Sequence, residues 1–148
     1  QRKTNELRER IAYFIAKDAS AVFNTAVAED DMREGVIIGS VEVSVEPQGD
    51  NTTVIIANGT DAVFMEFGAG VYYNGAAGSS PHPYGVELGY TIGDYGWGFG
   101  QFDEWGYTDA NGKYRLTHGT PAAMPLYNAG VAIRQNARIL ALAHFRSY

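Results

Sequence analysis

The sequence contains no cysteine, so disulfides and thiolate metal sites are excluded. No apolar run approaches the roughly 20 residues that a membrane-spanning helix needs, and no signal peptide is visible. From Glu34 to Gly112 the chain carries no lysine or arginine but eleven aspartates and glutamates. Because nucleic-acid phosphates bind clustered positive charge, this segment is predicted not to bind DNA or RNA.

Motifs of catalysis are also missing. The chain has no P-loop, no nucleophile elbow, no helical zinc-protease motif and no dinucleotide-binding glycine pattern. His82 and His118 have no carboxylate or second histidine nearby at the spacing of metal ligands. Ser79, Ser80 and His82 are close in sequence, and a hydroxyl and an imidazole can form a nucleophile pair, but the two prolines flanking His82 favour a stiff polar loop. We predict a protein that is not an enzyme and that uses no metal or cofactor.

The 148 residues predict one domain over 1–148. Apolar residues at three- and four-residue spacing predict a helix over 4–29 and a second over 125–145. The predicted apolar face of the first helix contains Leu7, Ile11, Phe14, Ile15, Val22, Phe23 and Ala26, and that of the second contains Leu126, Ala129, Ile133, Ala137 and Leu140. Alternating apolar and polar residues, with turn residues between the runs, predict two antiparallel hairpins. Their strands are expected at 36–46 and 52–58, and at 104–108 and 113–117. The chain begins at Gln1 rather than Met, so we expect residues upstream of it.

These elements predict an α+β fold. A small antiparallel sheet of about four strands would carry the N-terminal and C-terminal helices on one face, which buries both apolar sets. Residues 61–67 are ambiguous, because a short apolar run fits a helical turn or a strand equally well. Residues 68–104 form a long loop rich in glycine and aromatic residues, and loops of this length are usually functional.

Residues 90–107 carry seven aromatic residues and five glycines in eighteen positions. Three interpretations stay open: the rings stack on sugars, fill pockets on a neighbouring protein, or form a small core of their own beneath the loop. In the protein-contact interpretation, the candidate interface residues are seven of the aromatic residues in the long loop and at its end. They are Tyr72, Tyr73, Tyr95, Trp97, Phe99, Phe102 and Trp105.

Four sequence blocks, in the same order, resemble the bacteriophage putative tail-component family. Phe64 to Gly70 is similar to that family's VEFGTG signature, with Ala69 in place of the threonine. Ser80 to Pro83 (SPHP) and the aromatics around Trp97 follow. The last block, Thr117 to Ala129, resembles the family's G-x-P-x-x-P-F-M-Y-N start of the C-terminal helix, with Leu126 in place of the phenylalanine. The residues that carry the resemblance are Glu66, Phe67, Gly68, Pro81, His82, Pro83, Gly119, Pro121, Pro125, Tyr127 and Asn128.

The resemblance runs from about residue 62 to 138 and implies a structural role. Members of the family are neck or tail-completion proteins of long-tailed phages and prophages, with no catalytic residues. The implied partners are further copies of the chain in a ring, connector, adaptor or stopper proteins, and tail-tube or tail-terminator proteins. The implied location is the virion, after assembly in the host cytoplasm. The alternative is a virion-associated carbohydrate-binding module that uses the aromatic loop.

The acidic middle of the chain has two interpretations. Its carboxylates are either simply solvated, or they line the channel of a ring and keep passing DNA from sticking. The channel-lining candidates are Glu42, Glu46 and Asp50. In either case DNA is expected to pass without specific binding.

Overall fold

A computed structural model describes residues 2–34, 41–59, 61–91, 104–108 and 111–146; for 26–34, Ala77 and Trp105 it describes the backbone. The helices and strands are, in chain order, α1 (Arg2–Glu34), β1 (Glu42–Gln48), β2 (Thr52–Asn58), α2 (Ala62–Phe67), β3 (Trp105–Thr108), β4 (Tyr114–Thr117) and α3 (Pro125–Arg146). The chain divides into two compact units, one formed by Gln1–Ala62 with Pro125–Tyr148, the other by Val63–Met124.

The first unit contains the two long helices and the β1–β2 hairpin. The predicted α+β class with an N-terminal and a C-terminal helix is confirmed. β1 pairs with β2 in antiparallel register, from Glu42 opposite Asn58 to Gln48 opposite Thr52. The predicted bounds of β2 are confirmed, while the predicted start of β1 at 36–40 lies outside the described residues.

The buried face of α1 is built mainly from alanines. Ala12, Ala16 and Ala19 are at most 6% exposed and Phe23 is fully buried, and their spacing of three and four residues places them on one side of the helix. Small side chains let a neighbouring helix approach closely, and α1 packs against both α3 and the hairpin. The sequence-based face was wrong at Val22, which is 40% exposed.

The predicted apolar face of α3 is confirmed. Leu126, Ala129, Ile133, Ala137 and Leu140 are all buried or half-buried. The contacts of α3 run chiefly to α1 rather than to the hairpin, which differs from the expected arrangement of both helices on one sheet face. At the far end, the ring nitrogen Nε2 of the buried His144 donates to the backbone carbonyl of Lys3 at 3.1 Å. This contact sets the C-terminus of α3 beside the N-terminus of α1, so the two helices run antiparallel.

The second unit contains most of α2, two short 3₁₀ helices at Gly70–Tyr72 and Ala76–Gly78, and the β3–β4 hairpin. The ambiguous run 61–67 is therefore helical. An isolated antiparallel bridge joins Ser79 to Thr91. The first part of the predicted loop thus has local structure, and 92–103 lie outside the described residues.

The predicted single sheet of about four strands is corrected. The four described strands form two separate two-stranded sheets, β1–β2 and β3–β4. Each strand pairs with its neighbour in sequence, because a short turn brings the two together at low entropic cost. Strand periodicity does not encode whether two hairpins then join edge to edge. Among the helices in the described ranges, none has the length and apolar character required to cross a membrane.

Candidate functional site

Three of the sequence blocks meet in the second unit. The end of α2 supplies Glu66 and Phe67, the segment after the second 3₁₀ helix supplies Ser80 and His82, and the segment after β4 supplies Gly119. Glu66, Ser80 and His82 are polar and at most 6% exposed. Buried polar side chains require hydrogen-bond partners inside the protein. These three residues are therefore the candidate functional cluster of the second unit.

Glu66 and His82 form a buried pair. The Nε2 atom of His82 lies 3.3 Å from Oε1 of Glu66, and the side chains are 4% and 8% exposed. The other ring nitrogen, Nδ1, accepts the backbone N–H of Tyr84 at 3.1 Å. Because Nδ1 accepts a hydrogen bond, the proton is on Nε2, which donates to the carboxyl of Glu66. Both ring nitrogens are therefore engaged within the protein.

The hydroxyl of Ser80 holds the backbone rather than the imidazole. It donates to the carbonyl of Phe67 and accepts the backbone N–H of His82 at 3.1 Å. The backbone N–H of Ser80 donates to the carbonyl of Tyr90 at 2.9 Å. A nucleophile pair needs the hydroxyl to face the imidazole, so Ser80 and His82 are not arranged as one.

Aromatic rings pack against the imidazole of His82. The rings of Phe67 and Tyr90 stack with centroids 3.8 Å apart and planes 11° apart. The ring of Phe67 also lies 4.5 Å from the imidazole of His82. This apolar surround lowers the local dielectric, which strengthens the hydrogen bond between His82 and Glu66 and raises the cost of breaking it.

The segment after β4 lies against α2 and the residues that follow it. The backbone N–H of Ala69 donates to the carbonyl of Thr120 at 2.8 Å, and the backbone N–H of Ala123 donates to the carbonyl of Met65 at 2.9 Å. The N–H of Val71 donates to His118 at 3.1 Å. Gly119, between these contacts, has a φ of 105°, and a Cβ built on it would lie 2.1 Å from the carbonyl oxygen of Ala69. Only glycine fits both the conformation and the space.

The cluster positions a short surface segment. After His82 the chain makes two turns, each closed by a backbone hydrogen bond. The N–H of Leu88 donates to the carbonyl of Tyr84 at 3.0 Å, and the N–H of Tyr90 donates to the carbonyl of Gly85 at 2.8 Å. Tyr84, Val86 and Leu88 are 44%, 58% and 56% exposed. The buried pair and the Ser80 hydroxyl thus hold an exposed apolar segment in a defined conformation.

Metal ligation is limited by the number of donor side chains. Across the described ranges, no group of three or more histidines, aspartates or glutamates is close enough together to hold an ion. His118 and Glu104 form a second pair at 3.6 Å, with side chains 64% and 47% exposed. Water screens such a surface pair, which contributes little to stability.

The predicted interface residues fall in different environments. Tyr72 is 37% exposed, whereas Tyr73 is 8% exposed and belongs to the interior of its unit. Trp105 begins β3, and its partner there is Thr117. Tyr95, Trp97, Phe99 and Phe102 lie outside the described residues.

The channel-lining candidates Glu42, Glu46 and Asp50 are all exposed. The backbone carbonyl of Asp50 accepts a hydrogen bond from the guanidinium of Arg8 at 2.8 Å. Their carboxylates are therefore on the surface of the first unit, as a channel lining or a simple solvated face both require.

The remaining motif residues have mainly backbone roles. Pro81, Pro83 and Pro121 are exposed, and Gly68 is buried with a φ of 75°. The start of α3 contributes Pro125, which is fully buried, with Tyr127 half-buried and Asn128 exposed. Pro125 fits this position because a helix start leaves its missing N–H without consequence.

The pairing of His82 with Glu66 was missed by the sequence analysis, which found no carboxylate near that histidine. Sixteen residues separate the two, a spacing that no local pattern connects. The available signal was that both lie in blocks of the same family resemblance. The roles of Ser80 as a backbone clamp and of Tyr90 as a stacking partner carried no sequence signal.

No protein-family model, curated protein or solved structure matches the chain.

Proposed function

We propose that this chain is a structural protein of the neck or tail of a long-tailed phage or prophage. It joins the head connector to the tail as part of a homo-oligomeric ring. Its proposed neighbours are adaptor or stopper proteins on one side and tail-tube or tail-terminator proteins on the other. It acts in the virion after assembly in the host cytoplasm. The basis is the resemblance of its four sequence blocks to the phage tail-component family.

One structural observation supports the proposal most. Three blocks that are far apart in the sequence, around Glu66, His82 and Gly119, pack into one cluster with the bonds described above. A shared packing site gives a physical reason for these residue types to occur together. Their polar groups are used inside the protein, which favours a scaffold over a catalytic centre.

The same unit fixes both ends of the aromatic segment. At its start, Thr91 forms a bridge with Ser79, which adjoins the buried Ser80. At its end, Trp105 is paired with Thr117 in the β3–β4 hairpin. Anchored ends reduce the entropy that residues 92–104 lose on docking. We propose that residues 92–104, together with Trp105 at their end, form the assembly surface, in which Trp97, Phe99, Phe102 and Trp105 make the main contacts.

Replacing Trp97 or Trp105 by alanine is expected to weaken assembly by about 2 kcal/mol, because buried tryptophans dominate interface energetics. Sedimentation of the purified protein, with and without its ring partner, measures the association. Tyr13→Ala is the matched control, since Tyr13 is an aromatic residue of α1 that is 61% exposed. If the tryptophan variants assemble normally but unfold at lower urea, the rings form a core of their own.

Deletion of the gene tests the proposed role as a whole. In the phage or prophage that carries it, the induced lysate is expected to contain separate heads and tails by electron microscopy. Restoring the gene on a plasmid should restore joined virions. Intact virions that fail to adsorb would contradict the neck or tail-joining role and favour the carbohydrate-binding alternative.

A further inference from the structure

The outer face of α3 combines exposed apolar residues with positive charge. Ile139, Leu142 and Phe145 are 66%, 44% and 47% exposed. The helix carries three arginines, Arg134, Arg138 and Arg146, all exposed, and no acidic residue. At 100° per residue these six positions fall on one side of the helix, opposite the face that contains Ala129 and Ile133. Such a face is unusual for a surface that only water contacts.

The β1–β2 hairpin has a face of opposite charge. Glu42 and Glu46 are exposed and lie on the same side of β1. The register places Val54 opposite Glu46 and Ile56 opposite Ser44. This face therefore carries two carboxylates beside two half-buried aliphatic side chains, whereas Val43 and Val45 point to the other face.

These are two different surfaces of the first unit. α1 packs against α3 and against the hairpin, while Glu42 and Glu46 and the six residues of the outer face of α3 stay exposed. None of Arg138, Arg146, Glu42 and Glu46 forms an ion pair with another residue of the described ranges. Both charged faces are therefore available to another molecule.

The spacing of the charges also matches. Glu42 and Glu46 are four residues apart on a strand, which is about 13 Å. Arg138 and Arg146 are eight residues apart on a helix, which is about 12 Å. Two arginines on one copy can thus face two glutamates on another, while Leu142 and its apolar neighbours meet Val54 and Ile56.

We propose that the outer face of α3 binds the glutamate face of the β1–β2 hairpin on a second copy of this chain. A contact between two different faces is heterologous, and repeated contacts of this kind close into a ring when the rotation allows it. The inference rests on the proposed ring role and identifies a contact between its subunits. It assigns Glu42 and Glu46 to that contact rather than to the channel lining considered above.

The test uses two charge-reversal variants and their mixture. Arg138→Glu with Arg146→Glu gives one protein, and Glu42→Lys with Glu46→Lys gives the other. Each variant alone places like charges across the contact. Its self-association constant, measured by sedimentation, is therefore expected to fall by at least about tenfold. Mixing the two proteins restores opposite charges wherever the two variants alternate, so association is expected to return to within about threefold of the wild type.

The control is Lys17→Glu, a charge reversal at an exposed position of α1 outside both faces, which should leave association unchanged. The wild-type contact should also weaken as the salt rises from about 0.05 M to about 0.5 M. Wild-type behaviour of either charge variant alone, or no recovery on mixing, would overturn the proposal. So would a wild type that stays monomeric at every concentration, and the neck role would then still be decided by imaging the deletion lysate.

Discussion

Gly119→Ala is expected to destabilise the protein by about 3–4 kcal/mol. The residue has a φ of 105°, and a left-handed conformation costs a residue with a Cβ about 1–2 kcal/mol. The new Cβ would also lie 2.1 Å from the carbonyl oxygen of Ala69. Because that atom belongs to the backbone, the two segments must separate. The hydrogen bonds of Ala69 to Thr120 and of Val71 to His118 are then weakened, at about 1 kcal/mol each.

Substitution of a second glycine separates the cost of the backbone conformation from the cost of the steric clash. Gly89 has a φ of 81°, but no atom lies within 4 Å of where its Cβ would be. Gly89→Ala should therefore lose only the conformational part, about 1–2 kcal/mol. Urea denaturation gives both free energies of unfolding, and amide exchange at Ala69 and Val71 reports the local separation. Equal losses for the two variants would show that the close approach at Gly119 has no energetic effect.

His82→Ala is expected to cost about 3–5 kcal/mol. The substitution removes the Nε2–H donor from the carboxyl of Glu66, which is buried with its side chain 8% exposed. It also removes the acceptor of the Tyr84 N–H and the ring that packs 4.5 Å from Phe67. A buried polar group that loses a partner keeps the full cost of its desolvation, and the vacated volume adds a cavity term.

The chain supplies its own control for this substitution. His118 is also paired with a glutamate, Glu104, but their side chains are 64% and 47% exposed. His118→Ala should change the free energy of unfolding by less than about 1 kcal/mol, because water replaces the lost partner. Denaturation of the two variants under the same conditions measures the difference. Similar losses would mean that burial does not strengthen the pair of His82 and Glu66.

The two substitutions also connect stability to the proposed role. Gly119 and His82 both maintain the cluster that fixes the start of the aromatic segment. A variant destabilised in this cluster should hold the start of residues 92–104 less firmly. Its association is therefore expected to weaken even under conditions where the monomer is still folded. For Trp97→Ala the proposed role predicts the opposite result, with assembly reduced and the stability of the monomer unchanged.

Much of the local structure was determined by the sequence alone. The bounds of β2 and the apolar face of α3, from Leu126 to Leu140, were predicted correctly, because side-chain periodicity and capping act over a few residues. The run 61–67 was not decided, since seven residues, five of them apolar, carry too little periodicity. Val22 was misplaced because the buried face of α1 is centred on small alanines, which hydropathy separates poorly from exposed positions.

Only the tertiary structure decided which distant residues meet. The pair of His82 and Glu66 and the fit of Gly119 against Ala69 join residues far apart in the sequence. The tertiary structure also decided that the two predicted hairpins form separate two-stranded sheets. Such contacts depend on how whole elements pack, and no local spacing encodes them. The sequence by itself determined the two long helices, the hairpins and the polar blocks, but not the short helix α2. The packing decided that the polar blocks form one buried cluster, because buried hydrogen-bonding groups must find their partners wherever the fold brings them together.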